Sequence, residues 1–329
     1  MIDDHRHKES PIAVSVIMLS YNHADTVARA LDSILAQQCD FPIEIVAGDD
    51  ASTDGTREIL DRYATLYPGV VRVMPEAPRR GLVDNYFFVL SQCRGRFIAD
   101  CAADDYWINS HALQLKFDRL VADPTLSMVC SDWRTFCDEE NQNSQTPCSG
   151  DPDKICFQRL NGKRLLADEL SCVKGTVVHL STALYRRSIV DEALLTAPEM
   201  IHDSAMGCED LPIKAALMSH GDVDWLSVET LCYRIGHASV SSPENAEAVV
   251  KFQLMTANAV ARLADYYDVP LTAVNNNLKD KVKYAMSVAF AARDYNGVNE
   301  AENLRRQLSL KLGFKHRVMA IYSRMRMRK

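Results

Sequence analysis

From Pro11 to about Asp105, short runs rich in Val and Ile alternate with stretches in which apolar residues recur every three or four positions. The first run, "VSVIML" (14–19), predicts a buried strand. "ADTVARALDSILAQQ" predicts a helix that brings Val27, Leu31, Ile34 and Leu35 to one side. "IEIVAG" follows as a second strand, and "GTREILDRYATLY" as a helix that Asp54 is placed to cap and Pro68-Gly69 to end. "VVRVM", "NYFFVLSQC" and "RFIADCAA" continue as strand, helix and a fourth strand ending at Asp104-Asp105. Such alternation is the pattern of βαβ units, so an α/β fold with a mainly parallel sheet is expected.

The pattern changes twice further on. Between about Phe136 and Asp153, "CDEENQNSQTPCSGDPD" is polar and contains Pro and Gly, which predicts a surface loop, suited to a lid or insertion. Past about Pro243 the chain is helical in pattern almost throughout, in "EAVVKFQLMTANAVARLADYYD" and then "KDKVKYAMSVAFAARDY". The expected organisation is a flexible N-terminus at 1–10, an α/β domain at 11–242 and a helical C-terminal region at 243–329. No internal repeat or low-complexity tract interrupts it.

Composition narrows the function classes. An apolar content of 47% over 329 residues supports a sizeable core. The longest apolar runs fall short of the roughly 18 residues of a membrane span, and "MIDDHRHKES" has no apolar signal-peptide region, so a cytosolic protein is expected. The ten cysteines show no CxxC and no paired zinc spacing and are expected to be reduced and mostly buried. The net charge of −7 conceals an asymmetry: from Arg305 onward come Arg305, Arg306, Lys311, Lys315, Arg317, Arg324, Arg326, Arg328 and Lys329 without one acid. The acidic body argues against nucleic acid as a partner, whereas the basic segment 305–329 suits an anionic membrane surface. Within it, Phe314, Val318, Tyr322 and Met325 stand at helical spacing, the pattern of an interfacial helix. The same residues also suit a terminal helix packed on the body with a solvated basic face.

Candidate chemistry gathers in three acidic motifs. "GDDASTDGT" (48–56) has the opening spacing of a calcium loop, but a strand-like run precedes it where an EF-hand needs a helix, and Asp61 stands where a bidentate Glu is usual. A capped, solvated turn is the plain alternative. In "AADDYW" (102–107) two adjacent carboxylates repel unless a cation or donors compensate, and Mg²⁺ favours one or two carboxylates together with phosphate oxygens and water. Here the plain alternative has Asp105 capping the helix near "NSHALQLKFDRL", with Trp107 as core. Glu209-Asp210 opens the helical "EDLPIKAALMSHG" with Pro212 in its first turn, which is also ordinary capping chemistry. The first two motifs lie at carboxyl ends of expected strands, where open α/β sheets bind ligands.

Taken together, "VSVIMLSYNHADTVARALDSILAQQ", "IEIVAGDDASTDGTREIL", "GRFIADCAADDYW" and "CEDLPIKAALMSHGDVDWLSVETLCYRIGHASVS" resemble the family 2 glycosyltransferases with the GT-A fold, over roughly Pro11 to Ser242. That resemblance implies a nucleotide site at Ser20, Tyr21 and Asn22, with Tyr21 as a wall of the base pocket. Asp50 would accept the imide N–H of uracil, with Asp49 and Thr53 beside it. Arg80, with Arg79, would fall in a loop near the nucleotide; a solvated basic pair explains them equally. Asp104 would lie near the ribose and Asp105 on Mg²⁺ or Mn²⁺, and Trp107 would be free to stack on a sugar face. The chain departs from the commonest family pattern at Ala102, which occupies the position of a further acid, so metal ligation would lean on Asp105 with His237. Asp210 would be the catalytic base, with Glu209 lining the acceptor side.

The implied activity is inverting transfer of a hexose or N-acetylhexosamine from a UDP-sugar donor to a glycan or lipid-linked glycan acceptor, in bacterial cell-envelope polysaccharide synthesis. It would be located in the cytoplasm, or peripherally on the inner face of the cytoplasmic membrane. Rival readings are a catalytically silent nucleotide-sugar-binding module or scaffold, which would have lost the base or the metal ligand, and a nucleotidyltransferase. The latter is expected to carry a Gly-rich phosphate loop after the first strand, and "SYNHADT" has none.

Overall fold

The structure, a computed structural model, describes residues 11–137, 156–172, 178–236, 243 and 245–327. The expected N-terminus at 1–10, most of the polar segment beyond Phe136 and His237 lie outside the described residues. The chain divides into two compact units, one formed by 1–163, 178–202 and 216–236, the other by 164–177, 203–215 and 237–329.

The first unit is built on nine strands: β1 (Val14–Ser20), β2 (Ile43–Asp49), β3 (Val71–Val73), β4 (Phe97–Asp100), β5 (Tyr106–Trp107), β6 (Leu126–Phe136), β7 (Phe157–Leu160), β8 (Leu184–Arg186) and β9 (Asp222–Arg234). They form one sheet in the order β3-β2-β1-β4-β8-β6-β9-β5, with β7 also pairing β9. The half formed by β3, β2, β1 and β4 is parallel, as the alternation predicts. In the other half β8 runs antiparallel to both β4 and β6, β6 and β9 are parallel, and β5 and β7 pair antiparallel with β9.

Helices α1 (Val27–Leu35), α2 (Thr56–Leu66), α3 (Leu82–Gln92) and α4 (Ala112–Ala122) connect the strands of this unit, with α6 (Arg187–Thr196) and α7 (Pro198–Ile201) after β8. In α1 the buried face is Val27, Ala30, Leu31 and Ile34, with Leu35 only half-buried. Burying each large member of that face is worth about 1.5–3 kcal/mol. Helix α5 (Gly162–Ser171) and helix α8 (Asp210–His220) each run from one unit into the other. The second unit is mainly α9 (Ala246–Tyr266), α10 (Leu271–Ala291), α11 (Tyr295–Gln307) and α12 (Phe314–Met327). There Lys214 and Glu169 form a buried ion pair at 2.6 Å.

Several local expectations need correction. The fourth strand ends at Asp100, although Cys101 and Ala103 still donate to β1 beyond it, and Asp105 N–H closes a turn onto Ala102 C=O at 3.1 Å. Asp104 and Asp105 therefore stand in a turn before β5. The position preceding α2 is Gly55, at φ +95°, a left-handed conformation that suits glycine. Asp54 acts from one residue earlier, accepting from Thr56 N–H at 3.0 Å and from the Thr56 hydroxyl at 2.6 Å. Trp107 is a buried member of the core cluster. His111, not Asp105, precedes α4. The nine described cysteines are all free thiols, most of them buried or half-buried, with Cys156 and Cys172 exposed. Among the described residues no helix is long and apolar enough to cross a membrane.

Candidate active site

Parallel register places Ser20, the last residue of β1, beside Asp49, the last of β2. The Ser20 hydroxyl donates to Asp49 Oδ1 at 3.0 Å. The turn after β2 then folds back on the same carboxylate: Ser52 N–H donates to Asp49 Oδ2 at 3.0 Å and the Ser52 hydroxyl to Oδ1. Asn22 locks the turn after β1 to it, its N–H donating to Ser52 Oγ and its Oδ1 accepting Thr53 N–H, both at 2.9 Å. Asp54 Oδ2 accepts Ala24 N–H at 2.9 Å. Slight desolvation pushes the Asp54 pKa up, but its hydrogen bonds from Thr56 and the Ala24 amide hold it below the ordinary carboxylate value. Two turns from different strands are thus bound into one rigid rim. Asn22 at φ 58° and Ala51 at φ 63° sit in the left-handed region, routine for Asn and costly for Ala.

Asp50 is buried and faces a different set of donors. Arg80 N–H donates to its Oδ1 at 2.6 Å and Gly81 N–H to its Oδ2 at 3.0 Å, while Arg79 Nε lies 3.5 Å from Oδ2. The Arg79 guanidinium also stacks over the exposed ring of Tyr21, 3.8 Å from its centroid. Arg80 takes part through its backbone, since its guanidinium lies over Phe88 at 4.0 Å. Arg79 is therefore the side chain of that pair that meets Tyr21 and Asp50. The paired arginines in the sequence carry no signal to decide between them, because the turn geometry selects which one faces the carboxylate.

β4 flanks β1 on its other side, so the turn after β4 joins the same rim. Backbone hydrogen bonds from Cys101 to Ile17 and from Ala103 to Leu19 guide the chain along β1 beyond the end of β4. Asp104 Oδ2 then lies 4.0 Å from Nε2 of His23. Asp105 is buried, and its Oδ1 accepts Arg234 N–H at 2.9 Å, which ties the end of β9 to the acidic turn across 129 positions. Burial, reinforced by Asp105, Asp104 and Asp100, pushes the Cys101 thiol far up, so it stays protonated. His23 was not expected in this group, although "SYNHADT" places it two residues after Tyr21.

Asp100 is a further buried carboxylate, close to two fully buried phenols, Tyr86 and Tyr185, whose hydroxyls lie 2.5 Å apart. Burial and then Asp100 raise both phenols well above their ordinary pKa. No spacing rule joins residues so far apart in sequence.

The chemistry of Asp104 and Asp105 suits a hard divalent cation. Two adjacent carboxylates, one buried with an amide on one oxygen, form a hard oxygen donor set that Mg²⁺ or Mn²⁺ accepts when phosphate oxygens and water complete the shell. Among the described residues no group of three or more His, Cys, Asp or Glu side chains is arranged to hold a metal by itself. His237, the other candidate ligand, lies outside the described residues. Glu209 and Asp210 stand at the start of α8, with Glu209 buried, and both belong to the second unit.

The sequence model of glycosyl transferase family 2 matches residues 15–194, and the chain belongs to that family. Its sheet and flanking helices have the GT-A architecture of solved glycosyltransferase structures. The crystal structure of S. aureus TarS 1–349 in complex with UDP-GlcNAc is similar with a TM-score of 0.57 and 17% identity, over 95% of this chain and 89% of that one. The mannosyltransferase PcManGT from Pyrobaculum calidifontis, in complex with GDP-Man and Mn²⁺, gives a TM-score of 0.55 and 18% identity over 97% of this chain and 86% of that one. Uncharacterized protein Rv1520 of Mycobacterium tuberculosis (strain ATCC 25618 / H37Rv) is 33% identical over 134 residues, 41% of this chain and 39% of that protein. The match to that relative spans less than half of its length.

Proposed function

We propose that this family member is an inverting, metal-dependent glycosyltransferase that moves a hexose or N-acetylhexosamine from a UDP-sugar to a hydroxyl of a glycan or lipid-linked glycan. We further propose that it serves bacterial cell-envelope polysaccharide synthesis at the cytoplasmic face of the membrane. The observation that carries this reading is the shared rim: the Asp49–Asp50 turn and the Asp104–Asp105 turn leave strands on either side of β1, at one end of the parallel sheet. That end is where open α/β sheets bind nucleotides.

In this reading Tyr21 and Asp50 hold the base. The Asp50 carboxylate has about four lone-pair sites, so the amides of Arg80 and Gly81 leave it able to accept the uracil imide N–H. Cytosine lacks that donor, and an unmatched buried acceptor is costly. Ser20, Asn22 and Asp49 keep the turn rigid, and Arg79 supplies positive charge beside it. Asp104 lies towards the ribose, and Asp105 with His237 would hold Mg²⁺ or Mn²⁺. When bound, that ion neutralises charge on the departing diphosphate. Asp210 accepts the proton of the attacking acceptor hydroxyl, and Glu209 lines the acceptor side. Attack from the face opposite the nucleotide inverts the anomeric centre.

Calorimetric titration with UDP, GDP and TDP, each with and without Mn²⁺, tests the donor assignment. Mn²⁺-dependent binding of UDP alone is expected, and preference for GDP would move the donor to a GDP-sugar such as the one bound by PcManGT. No binding of any nucleotide under either condition would overturn both the transferase and the nucleotide-binding-module readings and leave a degenerate fold. Asp210→Asn is expected to bind UDP with unchanged affinity while losing transfer by roughly a hundredfold or more. Retained transfer would shift the base to Glu209.

A further inference from the structure

Helix α12 packs inward through Ala320 and Ser323, and Tyr322 reaches back to the rings of Phe290 and Tyr295. Its outer face is apolar: Phe314 is 82% exposed, Val318 45%, Ile321 58% and Met325 62%. These four residues follow at i, i+4, i+7 and i+11, which is a single stripe of a helix. Such a stripe ordinarily faces a core, yet here it points to solvent with exposed Lys315, Arg317 and Arg326 alongside it.

Beside the stripe, between α11 and α12, lies a cavity of about 290 Å³ lined by Glu302, Arg305, Leu312, Arg317, Ile321 and Arg324. Glu302 is shared by Arg305, Arg306 and Arg324, which leaves the cavity wall strongly positive. Arg317 makes no ion pair among the described residues.

We propose that α12 docks on the surface of an anionic phospholipid bilayer, lying flat with Phe314, Val318, Ile321 and Met325 among the acyl chains and the Arg317 side of the cavity against headgroup phosphates. Charge complementarity and an inserted apolar face are the two signals that together give stable but reversible interfacial binding. An apolar stripe alone would suit a protein groove equally. The acid-free basic shoulders and the guanidinium-lined hollow select a surface dense in phosphate. The attachment is independent of the transfer chemistry.

The test is flotation of the full chain with vesicles of phosphatidylcholine alone or mixed with phosphatidylglycerol. Flotation with the anionic vesicles is expected, weakened by salt, with little on neutral ones. Phe314→Ser with Ile321→Ser is expected to weaken it roughly a hundredfold, from the lost apolar burial. Arg317→Gln with Arg326→Gln is expected to weaken it roughly 25-fold, at about fivefold for each charge. All four positions are exposed, so melting temperature and UDP titration should not move, which separates this outcome from any failure of the transferase reading. Absence of wild-type flotation, equal binding to neutral vesicles, or unaltered binding by both double variants would overturn the proposal. So would a dimer in sedimentation that Phe314→Ser dissolves in a chain that does not float.

Discussion

The two halves of the sheet obey different rules. In the half from β3 to β4, β1, β2 and β3 are each followed by a helix and lie side by side in chain order, with β4 returning to the free edge of β1, so its arrangement follows from local pattern and right-handed crossover. In the half from β8 to β5, neighbours in space come from distant parts of the chain; β6 and β9 pair although 86 positions separate Phe136 from Asp222. The parallel half supplies a pre-bonded rim of Ser20, Asn22, Asp49 and Asp54. The mixed half supplies the anchor that fixes the last acid of that rim, Asp105 on the Arg234 amide. A site at a strand end can thus owe its turns to local sequence and its final carboxylate to a remote strand.

The largest expected effect tests that division at its junction. Asp105→Ala removes the charge and the acceptor for Arg234 together, and should weaken Mn²⁺-dependent UDP binding at least roughly a hundredfold. Asp105→Asn keeps an oxygen for the Arg234 amide and loses only the charge. It should therefore match Asp105→Ala in nucleotide titrations but retain wild-type melting. If it also melted early, the carboxylate's main task would be to hold β9.

A second substitution tests the opposite end of the parallel half. Glu44, fully buried near the start of β2, accepts from Ser15 and pairs with Arg72 and Arg94. Burial pushes its pKa up, but bonds from Arg94, Ser15 and Arg72 outweigh burial and hold it below its ordinary value. Its stabilisation is therefore present above pH 4.5 and is lost as pH falls through the lower folded value. Glu44→Gln should cost about 2 kcal/mol at neutral pH in urea unfolding, flatten the acid limb of the stability curve and leave UDP affinity unaltered. A change in UDP affinity would show that the two ends of the parallel strands are coupled.

In the mixed half, Lys116 is buried with its ammonium on Thr182 C=O at 2.6 Å and the Thr230 hydroxyl at 3.1 Å. Burial lowers its pKa from 10.5 to about 7. The unfolded chain then binds the extra proton between those values, so this group makes stability rise as pH increases from about 7 towards 10.5, by at most ~1.4 kcal/mol per pH unit. Urea unfolding of the wild type between pH 7 and 9 should show that slope, and Lys116→Met should flatten it. The smallest effect belongs to Ala51 on the rim: Ala51→Gly relieves a left-handed alanine and should raise stability by about 0.5–1 kcal/mol without altering nucleotide binding.

Periodicity located the parallel half well because its cues are short-ranged. Val14 to Leu19 and Ile43 to Gly48 lie in β1 and β2, and Val27, Leu31 and Ile34 face the core from α1. Strand ends were less legible. "RFIADCAA" is apolar past Asp100, and Cys101 and Ala103 stay buried and bonded to β1 beyond the end of β4, so apolarity reports burial and does not mark where the regular strand stops. The short strands β5 and β8, of two and three residues, are below the length at which alternation carries a signal.

By itself the sequence determined the family, the alternating half of the fold and the two acid-bearing turns that follow β2 and β4, because these rest on residue types within a few positions of one another. Tertiary structure alone decided that the Arg79 side chain and not that of Arg80 meets Tyr21 and Asp50, that His23 reaches Asp104, and that Arg234 holds Asp105. It also showed that the apolar stripe of α12 is turned outward. Those outcomes depend on which backbone groups and faces the packed chain has already used, a quantity that no local pattern of residue types contains.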